Sequence, residues 1–224
     1  MTETMPAEVI DNLVDFCESR SSMYTLLSRC FEKEMDAAFA QALAETHFES
    51  GDPALTTLFT TMKTKLEGCN ADTLEELAVV FDRVFFGMGP RTAQKAFPYE
   101  SVYTSEGGLM MQDAYSEVLH TYRDAGFEKA PGFTEPEDHV AVELAFMAKL
   151  CEQAAEALRA GDEEKAEALI VSQQAFLTAH LLNWTPAFFS EVQAAAEGGF
   201  YTQLGLFALA YLQADNDALA EVLA

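Results

Sequence analysis

The chain holds 224 residues, half of them hydrophobic, with 37 Asp and Glu against 13 Lys and Arg and a formal net charge of −24. That much apolar material can close a core. So acidic a surface repels phosphate backbones and anionic lipid, which sets nucleic acid and membranes aside and favours a cationic partner, although the same acidity also serves plain solubility. Met1-Thr2-Glu3 opens with neither the basic nor the apolar region of a secretory signal, and no apolar run approaches the ~20 residues of a membrane span, so a cytoplasmic protein is expected. Cys17, Cys30, Cys69 and Cys151 form no Cys-x-x-Cys pair and read as reduced thiols, three of them on apolar helical stripes.

Taken in chain order, Val9, Leu13, Phe16, Met23, Leu27 and Cys30 recur at helical period and predict a first helix. Asp52 offers an N-cap, with Pro53 at the first helical position, for a helix through Leu55, Leu58, Phe59, Met62 and Leu66. Thr73 and Glu76 have capping-box spacing and open a helix through Leu77, Phe81, Val84 and Phe85 that stops at Gly87 and Gly89-Pro90. From there to about Ser105 the helical pattern lapses. It returns through Met111, Tyr115, Val118 and Tyr122 and ends near Gly126. Thr134, with Glu137 three residues on and Pro136 in the first turn, predicts a long helix through Val142, Phe146, Met147 and Leu150 to Gly161. Asp162 caps a helix carrying Leu169, Phe176, Leu177, His180, Leu181 and Trp184; Thr185-Pro186 restarts helix through Phe189 and Val192 to Gly198-Gly199. A last apolar helix runs from Phe200, with a break expected near Asp215-Asn216-Asp217.

No alternating strand, internal repeat or low-complexity linker interrupts this series. The expectation is an all-α chain, a single bundle of roughly ten helices. Its N-terminal helical part covers about 1–86, a hinge and binding loop about 87–104, and a C-terminal part about 105–224. Such a hinge permits exchange of an identical part between protomers, so a monomer with a minor domain-swapped dimer is expected.

Two polar and aromatic islands stand out. In Phe97-Pro98-Tyr99-Glu100-Ser101-Val102-Tyr103, Pro98 presets the loop, and Tyr99 and Tyr103 pair a flat apolar body with a polar tip, which suits peptide recognition. The plainer reading tucks those rings into the core. In Glu135-Pro136-Glu137-Asp138-His139, Asp138 and His139 fall in the first turn of the predicted helix, where a carboxylate gains from the helix dipole; a capping acid beside a surface His is the plainer reading. His139 would titrate near the ordinary histidine range. His139 and Glu143, four apart, could be half of a metal site, but no second ligand pair accompanies them. His180, Trp184, Pro186 and Phe189 read as a buried helix corner, and Phe81, Phe85 and Phe86 read mainly as core. No phosphate loop, dinucleotide fingerprint, Gly-x-Ser-x-Gly elbow or His-Glu-x-x-His is found, so neither catalysis nor a cofactor is expected.

In order and spacing these motifs resemble those of the TorD/DmsD/NarJ family of redox-enzyme maturation chaperones. The resemblance rests on Phe81 to Gly87, Phe97 to Tyr103, Glu135 to His139, and His180-x-x-x-Trp184-x-Pro186-x-x-Phe189 with Phe200-Tyr201; it covers about 74–213. It implies a cytoplasmic helical chaperone that binds the twin-arginine signal peptide or the body of a molybdopterin oxidoreductase catalytic subunit until its cofactor is inserted. It also implies a peptide groove lined by Pro98, Tyr99, Ser101, Tyr103, Asp138 and His139. Some members that bind export signals carry Trp where this chain has Tyr99 and Tyr103. On this reading Asp138 or Glu100 meets the guanidinium fork, and Tyr99, Tyr103 and Phe86 take the apolar part. The alternatives are a chaperone that binds only the apo-enzyme body and a helical metal-dependent enzyme built on His139 and Glu143.

Overall fold

The computed structural model describes residues 5–89 and 94–224. Met1-Thr2-Glu3, and Pro90 with the adjoining part of the expected hinge, lie outside the described residues.

Ten α-helices are found among the described residues, and no strand longer than an isolated bridge. They are α1 (Ala7–Glu32), α2 (Ala37–Glu45), α3 (Pro53–Thr64), α4 (Ala71–Phe85), α5 (Glu100–Thr104), α6 (Asp113–Asp124), α7 (Val140–Arg159), α8 (Glu163–Phe176), α9 (Thr185–Ala195) and α10 (Phe200–Val222). A π-helical turn, Leu177–Leu181, follows α8.

Of the 20 residues of α7, only a minority reach solvent, which makes it the central helix rather than an amphipathic surface one. Its alanines let α1 approach closely. There Ser21 and Ser28 donate to the carbonyls of Ala148 and Ala141, at 3.0 and 2.7 Å, pinning the two helices antiparallel. The helices α8 and α1 flank α7, while α10 packs on α9 and α3. One apolar cluster runs from Val14 on α1 to Leu219 on α10 and takes in side chains from before residue 87 and after residue 104.

Two expected caps are in place. Asp52 Oδ1 accepts the Ala54 N–H at 2.8 Å ahead of Pro53, and Asp162 Oδ1 accepts that of Lys165 at 3.1 Å. Elsewhere local signals are overridden. The α4 helix starts before Thr73, because Asn70 Oδ1 accepts from both Asp72 and Thr73 and captures the helix start. The short α2 carries no apolar run long enough to betray it, but is capped by Asp36. The break expected near Asp215 is absent: α10 is continuous, and the Asp215 carboxylate is drawn into a buried ion pair with Arg20 instead of competing for backbone.

The two corrections that matter most concern the islands. The loop of 97–104 ends in a helical turn, α5, and the long helix begins at Val140 instead of Thr134. Residues 134–138 cannot join it, because their backbone is held from outside. Lys129 Nζ donates to the Glu135 carbonyl at 2.5 Å and the Tyr122 hydroxyl to that of Glu137 at 3.2 Å, while Asp138 pairs with the loop.

Candidate functional site

The two islands are some forty residues apart in sequence and pair backbone to backbone. Tyr99 and His139 form an antiparallel bridge. Beside it the Glu100 N–H donates to the Asp138 carbonyl and the Val140 N–H to that of Pro98, both at 2.9 Å. Pro98 offers no N–H and a fixed φ, so it can stand in this short ladder only as an acceptor.

Side chains close the seam. Ser101 donates its backbone N–H (3.0 Å) and its hydroxyl to Asp138 Oδ2. The same hydroxyl accepts the Gln112 N–H at 3.1 Å. The Tyr99 hydroxyl donates to the Glu135 carboxylate. The His139 ring lies between the edges of Tyr99 and Phe133, each centroid 5.2 Å away. His139 is the N-cap of α7, and its Nδ1 accepts the Ala141 N–H at 3.1 Å, leaving the ring proton on Nε2. Burial, helped by the Lys129 charge, pushes the imidazole down to about 3. It therefore stays neutral at physiological pH, and the expected titration near the ordinary histidine range is corrected.

Beneath the seam sits a buried acid cluster. Glu100, 2 % exposed, accepts from Asn183 Nδ2 at 2.8 Å and meets His180 Nδ1 at 3.1 Å, so the π-turn and the residues after it clamp α5. Glu143 accepts the Trp184 indole N–H at 3.1 Å; that N–H also reaches the His180 carbonyl at 2.5 Å. Burial pushes the Glu143 carboxyl well above the ordinary carboxylate range, and the Glu100 charge beside it adds to the shift. Its Oε1 has no partner as an acceptor. A proton on Glu143 resolves both observations, because it converts that orphan into a donor toward Glu100. A folded-state pKa above the unfolded one gives stability that is present below the unfolded pKa and is lost as pH rises through the folded one. Glu143→Gln, which cannot ionise, should therefore stay within about 1 kcal/mol of wild type in mild acid and gain on it as pH rises. Denaturant melts from mild acid to mild alkali check this, and parallel pH profiles would refute it.

Six of the eight residues expected to bind peptide lie within this seam. Pro98, Tyr99, Glu100, Ser101, Asp138 and His139 are all buried, and Asp138 is 0 % exposed. In this conformation neither Asp138 nor Glu100 is open to a guanidinium, and the first-turn placement of Asp138 is replaced by its bond to Ser101. Tyr103 is half-buried: its ring lies on Trp184, 5.4 Å between centroids, and its hydroxyl donates to Glu191 at 2.7 Å. Phe86, read from sequence as mainly core, is 43 % exposed and packs one edge on Phe81. The two halves of the metal reading serve elsewhere: His139 caps α7 and Glu143 holds Trp184. Among the described residues no group of three metal-capable side chains converges. Asn183, Glu191 and the Glu100–Glu143 contact escaped sequence reasoning. The signal available was an acid inside the apolar run Val140–Met147.

The family model described as nitrate reductase delta subunit matches residues 48–190. The chain is 32% identical over 219 residues to a chaperone protein TorD of Vibrio cholerae, covering 92% of this chain and 94% of that one. It is 39% identical over 140 residues to the TorD of Photobacterium profundum, 62% of each chain, and 26% identical to that of Shewanella pealeana over 97% of this chain and 95% of that one. With the model matching well over half of the chain, and a relative above 30% identity aligned along almost its whole length, the chain belongs to the TorD/DmsD/NarJ family of redox-enzyme maturation chaperones.

Proposed function

We propose that this protein is a cytoplasmic chaperone that holds the catalytic subunit of a molybdopterin oxidoreductase until its cofactor is inserted, and that it binds the client's N-terminal twin-arginine signal peptide. The family is one of maturation chaperones and not of catalysts. The observation that carries the reading is the near full-length likeness to TorD chaperones. No helix among the described residues is long and apolar enough to cross a membrane.

In this reading the seam residues Pro98, Tyr99, Glu100, Ser101, Asp138 and His139 act from beneath, fixing the shape of the 97–104 segment. The surface residues Tyr103 and Phe86 meet the peptide. Ordering a disordered leader costs ~2–5 kcal/mol, so affinity should lie near micromolar, which suits a client that must be released. Calorimetry with a synthetic twin-arginine leader tests it. Tyr103→Ala and Phe86→Ala should each weaken binding about tenfold, the equivalent of losing part of one aromatic contact. Binding equal to wild type in both would remove them from the site.

The closed seam also favours a second reading, in which the chaperone grips only the apo-enzyme body, because an extended peptide finds no open groove there. Co-purification with a molybdoenzyme lacking its leader separates the two: retention without the leader supports the body. We propose a monomer in solution, with a minor dimer swapped at 87–104. Exchange there would carry α1 onto the partner's α7 and conserve their packing.

A further inference from the structure

We propose that the exposed tip Leu109-Met110-Met111 is a docking surface for an apolar client segment flanked by cationic side chains. This rests on the chaperone reading and names a contact for it outside the expected loop and island. The three residues are consecutive and 59, 41 and 56 % exposed. Their exposure is built, not incidental. Between α5 and α6 the chain folds back through Gly107 and Gly108, both at positive φ. At Gly108 the φ of 63 lies in the left-handed region that favours glycine, which lets the chain reverse there. Met111 itself adopts φ 56, a region side-chain-bearing residues seldom enter unless neighbours impose it.

The neighbours that impose it are polar. Ser105 Oγ accepts the Leu109 N–H at 3.1 Å and donates back to the Leu109 carbonyl at 3.2 Å. Gln112 Nε2 donates to the Met110 carbonyl at 2.9 Å, and the Gln112 N–H is held by Ser101 Oγ at 3.1 Å. The backbone is thus fixed while the side chains are left in water. Through Ser101 the buried seam and the exposed tip share one anchor, so the loop-and-island pairing orients a surface that it does not itself form.

Charge selects the occupant. No Lys or Arg occurs in the sequence from Ala96 through Tyr122, whereas Glu106, Asp113 and Glu117, which flank the tip in sequence, are all exposed. A second copy of this chain would bring the same flanking acids against themselves, and an anionic lipid surface would be repelled. An apolar segment bearing Arg or Lys satisfies both the side chains and the flanking acids. Leu and Met suit clients of varied sequence, because the unbranched thioether repacks easily.

Peroxide footprinting read by mass spectrometry tests the site directly, with a synthetic peptide of two adjacent arginines followed by a leucine-rich stretch. The peptide should shield Met110 and Met111 from oxidation, whether or not Met88, two residues from Phe86, is shielded with them. Replacing all three tip residues (Leu109→Ser, Met110→Ser, Met111→Ser) should weaken binding about tenfold or more without moving the melting curve. Glu106→Gln with Asp113→Asn should flatten the salt dependence. Protection of Met88 instead, unaltered binding by the tip variant, or conversion of a dimer to a monomer by it would overturn the proposal. Co-expression with a molybdopterin oxidoreductase keeps the two readings apart. If wild type and tip variant activate the enzyme equally, the docking site falls and the chaperone stands. If peptide binds at the tip but neither protein aids activation, the chaperone reading falls.

Discussion

Arg20→Met should cost about 3–5 kcal/mol of folding stability, the range for breaking a buried ion pair from one side. In a chain of this size that lowers the melting temperature by roughly 10 °C or more. Arg20 is 4 % exposed, and its guanidinium grips both oxygens of Asp215, Nε at 2.5 Å and Nη2 at 2.9 Å, while Nη1 donates to the Gln173 side-chain amide oxygen Oε1. Tyr24 donates its hydroxyl to Asp215 Oδ2 at 2.6 Å, and the Phe16 ring lies 4.8 Å beneath the guanidinium. One side chain thereby ties α1 to α8 and α10, the first helix to the last. Methionine would fill the space but leave the Asp215 carboxylate buried without its cation. The double variant Arg20→Met/Asp215→Leu removes both charges and should recover most of the loss, because a buried pair is costly to halve and cheap to replace whole. Chemical denaturation of the single and double variants measures the difference. Equal loss in both would mean that packing, not the stranded charge, sets the effect. The thiols beside this network are inert: burial raises Cys17, and pushes Cys151 up to about 12.

Helix positions were legible in the sequence wherever an apolar stripe and a local cap agreed, as at Asp52-Pro53 and Asp162. They were misread where a distant partner outbid the local signal. Thr134 and Glu137 carry capping-box spacing, yet the segment pairs with Pro98–Glu100 and helix waits until Val140. Asp215-Asn216-Asp217 reads as a breaker, yet Arg20, 195 residues away, absorbs the carboxylate. The candidate site shows the same limit. Composition marked the two islands as unusual, and the structure brings them together. Burial of the loop's rings was the plainer reading, but burial of its polar members was not legible: His180 and Trp184 read as a buried helix corner, and nothing in the sequence paired them, or Asn183, with Glu100 and Glu143. The exposed tip escaped for the opposite reason: Met111 fits a helical stripe by spacing, but glycines and positive φ take it out of the helix.

Asp138→Ala should destabilise the fold by about 2–4 kcal/mol, because it strands two buried donors of Ser101 at once, its N–H and its hydroxyl. Asp138→Asn keeps an acceptor facing Ser101 and should stay within about 1 kcal/mol of wild type at neutral pH. The sign of its pH dependence follows from burial, which raises the Asp138 carboxyl against the lowering effect of the Ser101 bonds, while Oδ1 is left without a partner. A raised folded pKa means stability present below the unfolded pKa and lost as pH rises through the folded one, so Asn should gain on Asp toward alkaline pH. Ser101→Ala and the double variant close a mutant cycle, in which a coupling of about 1–3 kcal/mol would show that the pair acts as a unit. The same variants separate support from contact. If Asp138 shapes the segment from beneath, the Asn variant should bind a cationic leader with the salt dependence of wild type, since no exposed charge has been removed. A flattened salt slope in Asp138→Asn, with stability unchanged, would mean that the seam opens and that the carboxylate touches the client after all.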